Sequence, residues 1–236
     1  SGSERKMGDI AEKIYSIAVD GPSGAGKSSL AKAIAAELHI LYVDTGAIYR
    51  TIGCYARRKG VETADTEAVI ALLPEVEIGM CYDAQGLQHM LLHGEDVTEE
   101  IRLPEMSLYA SAVSAIPEVR AFLLEMQRDF ARKSSVIMDG RDIGTVVLPH
   151  ADVKIFLKAD VEVRARRREI ELQERGTPRP YKQVLEEMRQ RDYNDTHRSA
   201  APLRAAEDAV IVDTSDLDFQ QSKEKLLEII REKVGL

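Results

Sequence analysis

The chain has 236 residues, 44% hydrophobic and 31% charged, the balance of a globular protein with a full core and the size of one domain, with or without an insert. A net charge of −8, 5% aromatic residues and no Trp argue against nucleic-acid binding through the overall field or by base stacking, so any phosphate ligand has to be met by local positive charge. No apolar run reaches the roughly 20 residues of a membrane-spanning helix and no charged-then-apolar leader opens the chain, so we expect a cytoplasmic protein with no membrane partner.

Residues 1–13 read as an N-terminal tail, with Ser1 to Lys6 ahead of Met7 resembling a vector-derived remnant, and 14–236 read as one domain. Five runs are continuously apolar: IYSIAV (14–19), ILYV (40–43), SVIM (135–138), VKIFL (153–157) and AVIV (209–212). Such runs fit central parallel strands buried on both faces. Helical periodicity fills 28–38, 46–58, 117–131, 161–174, 181–197 and 217–234, which gives repeated βα units and an α/β fold with a parallel sheet. Between 74 and 94 the pattern changes to short alternating stretches around DAQG, the mark of a small antiparallel insert. The linker candidates are RGTPRP (175–180) and APLRAAED (201–208).

The first strand runs into GPSGAGKSS, which is Gly21, Pro22, Ser23, Gly24, Ala25, Gly26, Lys27, Ser28 and Ser29. Gly21, Gly26, Lys27 and Ser28 satisfy G-x-x-x-x-G-K-[ST] between a strand and a helix, the setting this phosphate loop requires. Glycines let backbone N–H groups turn inward on phosphate oxygens, and the following helix adds its positive N-terminus. Lys27 places a point charge on the β- and γ-phosphates, and the Ser28 hydroxyl is a hard oxygen ligand suited to Mg²⁺. These features point to a nucleoside triphosphate.

After the second strand, DTGAIYR (44–50) opens a helix on which Thr45 and Tyr49 share one face and Gly46 and Arg50 another. These groups either converge on one anion or form a helix cap by Asp44 beside a solvated Arg50. After SVIM comes MDGRDIG (138–144): Asp139 sits where an acid joins the magnesium shell, Arg141 can fork onto a phosphate, and Asp142 can accept from a base or sugar. The segment RARRREIELQERG (164–176) carries four arginines within five residues and suits either a lid closing over a triphosphate or a solvated helix face. In RQRDYNDTHR (189–198), Arg191, Asp195 and Arg198 fall at i, i+4 and i+7, one helical face. Cys54 and Cys81 match no metal spacing and read as two reduced, buried thiols, and the five histidines show no ligand spacing. No N-K-x-D segment is present, which removes the guanine-reading signature of a GTPase. A kinase for a small acceptor fits best, with a UMP, AMP or sugar-acid kinase and a nucleotide-dependent switch as alternatives.

Four stretches in order, DGPSGAGKSSLAKAIA, DTGAIYR, DGRDIGTVVLPHADVKIFL and RDYNDTHRSAAPL, resemble the bacterial cytidylate kinases, and the likeness runs from about Ile14 to the C-terminus. The resemblance implies a P-loop kinase fold: a core, a nucleoside-monophosphate-binding region over about 45–115 enlarged by the insert, and a short lid over about 164–180. It also implies the reaction of ATP with CMP or dCMP, with Mg²⁺ alongside ATP, by a monomer. By matched motif, Thr45, Arg50 and Arg141 hold the acceptor phosphate beside Tyr49, and Gly140 belongs to the CMP site. Arg191 and Asp195 contact ribose or phosphate; Ser111, Arg120, Asp142 and Arg198 read cytosine; Lys27, Arg141 and the lid residues Arg167 and Arg168 carry catalysis. Family members often have Ser at the position of Thr45 and Gly-Thr at Ser28-Ser29, differences that bear on the choice between ribose and 2′-deoxyribose.

Overall fold

A computed structural model describes residues 13–236, so the tail expected at 1–13 lies outside the described residues apart from Lys13. The first half of the chain forms β1 (Ser16–Asp20), α1 (Lys27–Leu38), β2 (Leu41–Asp44), α2 (Thr45–Arg58), α3 (Thr66–Leu72), β3 (Ile78–Tyr82), β4 (Gln88–Leu92) and β5 (Glu95–Asp96). The second half forms α4 (Met106–Ser114), α5 (Pro117–Lys133), β6 (Val136–Gly140), β7 (Val153–Lys158), α6 (Val161–Glu174), α7 (Tyr181–His197), β8 (Val210–Asp213) and α8 (Phe219–Val234). A π-helical turn, Ile143–Val147, follows β6.

Five strands form a parallel sheet in the order β2-β6-β1-β7-β8. Side chains alternate across it. Ala18, Val136 and Met138 join the core formed with α2, α4 and α5, while Ile17, Val19, Ile137, Ile155 and Leu157 join the core formed with α1 and α8. Continuous apolar runs at β1, β6 and β7 follow from this coverage on both faces. The runs at β2 and β8 belong to edge strands instead, and on β8 Ile211 is 56% exposed. An edge strand with helices against it keeps enough buried positions to mimic a central one in sequence.

The antiparallel insert is present as a three-stranded sheet, β3-β4-β5, turning at Asp83–Gly86, where Gly86 has φ +78°. Two contacts attach it to the open edge of the main sheet. The Gln88 carboxamide accepts from the Asp44 N–H at 2.8 Å and donates to the Asp44 carbonyl at 3.3 Å, imitating a strand residue, and the Tyr82 hydroxyl donates to the Tyr42 carbonyl at 2.7 Å. Two helices were absent from the periodicity. Helix α3 spans 7 residues, too few to show a repeat, and α4 (MSLYASAVS) spans 9, with Met106, Tyr109, Ala110 and Val113 on the face that packs into the core beside α2. A Cβ on Gly53 would fall 2.8 Å from Tyr109 Cβ. Cys54 is buried as expected, but Cys81 is exposed, because it lies on an edge strand of the insert.

The carboxamide of Gln88 brackets the β2 backbone at Asp44 with two hydrogen bonds, so Gln88→Leu removes both from a half-buried peptide unit. We expect a loss of about 1–3 kcal/mol and a Tm lower by several degrees in thermal unfolding. An unchanged Tm would show that water serves the Asp44 peptide equally well.

Candidate active site

Lys27, Thr45, Arg50, Asp139, Arg141 and Asp142 lie at or just beyond the C-terminal ends of β1, β2 and β6, where the loops of such a sheet converge. The loop after β1 turns through Gly24 (φ +76°) and Gly26 (φ +83°), left-handed conformations that favour glycine. A Cβ on Gly24 would also come within 2.9 Å of Met188 Cε. Helix α1 begins at Lys27 with no side-chain cap, so its first N–H groups remain available to an anion. Ser28 and Ser29 lie exposed on that first turn, and Ala25 is buried beneath it.

Lys27 is buried, and its Nζ donates to the Pro22 carbonyl at 3.1 Å. Burial, then the charge of Arg141, holds it well below the usual lysine range. Asp139, at the end of β6, accepts from the Ser28 hydroxyl at 3.1 Å and from the Tyr42 hydroxyl at 2.9 Å. Burial, then the charge of Asp44, raises its pKa. Ser28 and Asp139 thus place two hard oxygens beside the phosphate loop. Among the described residues no group of three His, Cys, Asp or Glu could hold a metal on its own.

At the end of β2, Asp44 caps α2 by accepting from the Ala47 N–H at 3.1 Å and also pairs with Arg50 at 3.1 Å. Asp44 is thus the helix cap, while Arg50 is only partly solvated and its Nε is buried without a hydrogen-bond partner among the described residues. Thr45 directs its hydroxyl to the Asp139 carbonyl at 2.7 Å and packs against Gly140, where a Cβ would stand 2.7 Å from Thr45 Oγ1. That contact joins α2 to the end of β6. Arg141 pairs through Nε with Asp195, which is buried on α7.

Arg191 forms no ion pair among the described residues, and burial, then the charge of Arg141, brings it down to about 10. Arg50 and Arg168 also contribute to this lowering, and Arg191 in turn acts on Lys27. Four cations, Lys27, Arg50, Arg141 and Arg191, are thus crowded into one partly dry space.

A second cluster lies beyond Arg141. Asp142 is buried and pairs with Arg120, whose guanidinium lies 5.2 Å from the centre of the Tyr49 ring and donates to the Ser114 carbonyl at 2.9 Å. Helix α7 ends at His197, so Arg198 follows it in extended backbone rather than on its face, donating to the Ala201 carbonyl at 2.9 Å and lying 3.5 Å from Ser114 Oγ. Ser111 is exposed, and its carbonyl accepts from Ser114 Oγ at 3.0 Å. Ser114 rather than Ser111 therefore touches both arginines. No periodicity marked α4, so no face could be assigned to either serine.

The arginine-rich helix divides its work. Arg164 is buried, donates to the Ser23 and Ala159 carbonyls at 3.1 and 2.8 Å, and forks onto Asp192 of α7 at 3.0 and 2.6 Å. Arg167 donates to Thr214 Oγ1 at 3.1 Å and to the Thr214 carbonyl at 2.6 Å, which holds it on the β8 side, away from Lys27 and Arg141. Arg168 pairs with Glu171 on the helix surface at 3.1 Å. Asp192 lies within RQRDYNDTHR but off the face shared by Arg191, Asp195 and Arg198, and Ser114 lies in none of the quoted stretches; their partners are visible only as distances in the fold.

The family model for cytidylate kinase matches residues 17–232. A cytidylate kinase of Caldicellulosiruptor saccharolyticus is 47% identical over 94% of this chain and 98% of its own. One from Solibacter usitatus is 43% identical over 97% of each. Among solved structures, an uncharacterized protein from Eubacterium ventriosum has the same fold at TM-score 0.50 and 13% identity, covering 93% of this chain and 99% of that one. The family match from β1 into α8, with relatives 43–47% identical over nearly the whole chain, shows that the chain belongs to the cytidylate kinase family.

Proposed function

We propose that this chain transfers the γ-phosphate of ATP to CMP or dCMP, giving ADP and CDP or dCDP. The observation that carries the reading is the crowding of Lys27, Arg50, Arg141 and Arg191 beside the phosphate loop, where each charge disfavours its neighbours until phosphate groups enter. Gly21 to Ser29 and Lys27 take the donor phosphates. Arg50 and Arg141 take the acceptor phosphate, with Thr45, Gly140 and Tyr49 shaping the wall, and Arg191 and Asp195 reach ribose or phosphate. A phosphate monoester is already an anion near neutral pH, so no strong base is required; holding the two phosphates in line and neutralising their charge supply the catalysis. Ser28 and the triphosphate would hold Mg²⁺, with Asp139 reached through Ser28 or water, and the ion would neutralise charge on the β- and γ-phosphates.

The second cluster suits cytosine. Arg198 as donor and Asp142 as acceptor match its ring acceptors and 4-amino group, whereas uracil reverses that pattern and leaves groups unpaired. Ser111 and Arg120 belong to the same pocket, Ser111 through Ser114. Residues 164–180 act as the lid, 45–115 as the monophosphate-binding region, and Arg168, already felt electrostatically by Arg191, moves in when the lid closes. Arg167 needs a larger excursion, since it starts from Thr214. One chain supplies every group, in keeping with a monomer, and use of ATP suits the cytoplasm.

The direct test is ADP release with Mg-ATP and CMP, dCMP, UMP, AMP, GMP or no acceptor. Fast release with CMP and dCMP alone is expected; slow release indifferent to acceptor would place the protein among nucleotide switches. Lys27→Ala should lower kcat by about 10²–10³-fold. Its Tm should stay level or rise, because burial and Arg141 already work against this charge in the folded state. Near-normal turnover would remove Lys27 from the chemistry. Arg198→Met should cut the CMP-over-UMP ratio of kcat/KM by about 10- to 100-fold while sparing the KM for ATP; equal losses on both bases would take Arg198 out of base reading.

A further inference from the structure

Asp20 is the last residue of β1, directly before Gly21, and it is 5% exposed. Its two carboxylate oxygens accept separate backbone N–H groups, Oδ1 from Ile143 and Oδ2 from Gly144, each at 2.8 Å. Those amides open the π-helical turn after β6. Within the turn the Asp142 carbonyl accepts from Val146 and Val147 at 2.9 and 3.1 Å, and the first N–H groups have no partner of their own. Asp20 therefore caps this turn from a different strand, 123 and 124 residues away in sequence.

The two strands reach this point in register, Asp20 opposite Gly140. Beyond Asp20 the chain becomes the phosphate loop; beyond Gly140 it becomes Arg141 and Asp142, one paired with Asp195 and the other with Arg120. The spacing is close: a Cβ on Gly144 would stand 3.4 Å from Asp20 Oδ2 and 3.2 Å from Lys154 Cδ. A buried carboxylate is costly unless hydrogen-bonded, and Asp20 forms no ion pair among the described residues; its partners are these amides. Burial pushes its pKa up to about 6, and the two N–H groups oppose that rise, so the ionised form is held by the turn itself.

We propose that Asp20 is a positioning residue for phosphoryl transfer: its two oxygens fasten the 140–144 loop to the end of the phosphate-loop strand, keeping Arg141 and Asp142 in register with the donor phosphates. The inference rests on the kinase reading above. Asp20 touches neither substrate; it acts through the turn that carries the acceptor groups.

Asp20→Asn keeps one acceptor and turns an NH₂ toward the second N–H, and Asp20→Ser removes the fork altogether. For either variant we expect the KM for CMP to rise about tenfold or more, with the KM for ATP changed less than about twofold. Hydrogen exchange should accelerate in the peptide covering 141–148 and stay unchanged in α8. A fall in kcat with both KM values unchanged would mean fewer folded molecules, and it would overturn the proposal. So would a parallel rise of both KM values, unchanged kinetics, or failure of both variants to fold, since a positioning role leaves the sheet standing. If the wild-type chain does not phosphorylate CMP, the kinase reading fails by itself, while the exchange experiment still decides whether Asp20 fastens the loop.

Discussion

The crowding of cations at the C-terminal ends of β1, β2 and β6 is the constraint around which the rest of the molecule is arranged. Four basic groups gathered in one partly buried space repel each other, and Lys27 and Arg191 are both driven below their ordinary ranges by burial and by Arg141. A folded chain tolerates this only if something offsets it. Here the offset is a set of carboxylates, one per region: Asp44 against Arg50, Asp195 against Arg141, Asp142 against Arg120, and Asp139 near Lys27. Each carboxylate is placed by a different element, so neutralising the site also ties α2, α5, α7 and the β6 loop to one point.

This arrangement explains the architecture better than the sheet alone does. A parallel sheet needs helices on both faces, and α1, α8, α2 and α5 supply them. It does not need the insert or the α6–α7 pair. The insert covers the β2 edge by way of Gln88 and Tyr82, and the residue it clasps, Asp44, is also the one that caps α2 and holds Arg50. The α6–α7 pair is locked by the Arg164 fork onto Asp192, and Arg164 also reaches the phosphate loop at Ser23. Both additions end on the walls of the charged space.

The strands and the six longer helices were legible in the sequence because their cause is local: an apolar run or a 3.6-residue repeat is written into consecutive residues. Positions that depend on a partner far away were not. Helix α4 turns Met106, Tyr109, Ala110 and Val113 to the core, but over nine residues that stripe is only two turns long, and its close approach to α2 depends on Gly53 of that helix. The four motifs named most of the groups that meet at the site, since the loops after β1, β2 and β6 and the end of α7 do converge. Pairing was less legible. Arg191 and Asp195 share a helical face, yet Asp195 turns to Arg141, 54 residues away, and Arg191 forms no ion pair among the described residues. The basic run at 164–168 reads as four equivalent arginines, whereas burial assigns Arg164 to the α7 contact and Arg167 to the Thr214 loop.

The carboxylate pairs also bear on selectivity. Arg50 and Arg141 each engage one acid through a single nitrogen, Arg50 by a terminal N–H to Asp44 and Arg141 by Nε–H to Asp195, so under the proposed function the remaining guanidinium N–H groups of both are left for an incoming phosphate. A phosphate monoester carries nearly two charges and three strong acceptor oxygens, and it can accept from both arginines together. Neither acid has to be displaced, and each keeps further company: Asp44 accepts the Ala47 N–H and Asp195 has Arg191 beside it on the same helix. The acids therefore hold the two guanidinium groups without leaving a buried charge alone, the outcome that makes broken ion pairs expensive. On the proposed reading this favours an acceptor with a full phosphate at one end, and the Arg120–Asp142–Arg198 cluster at the far end would then decide which base that phosphate carries.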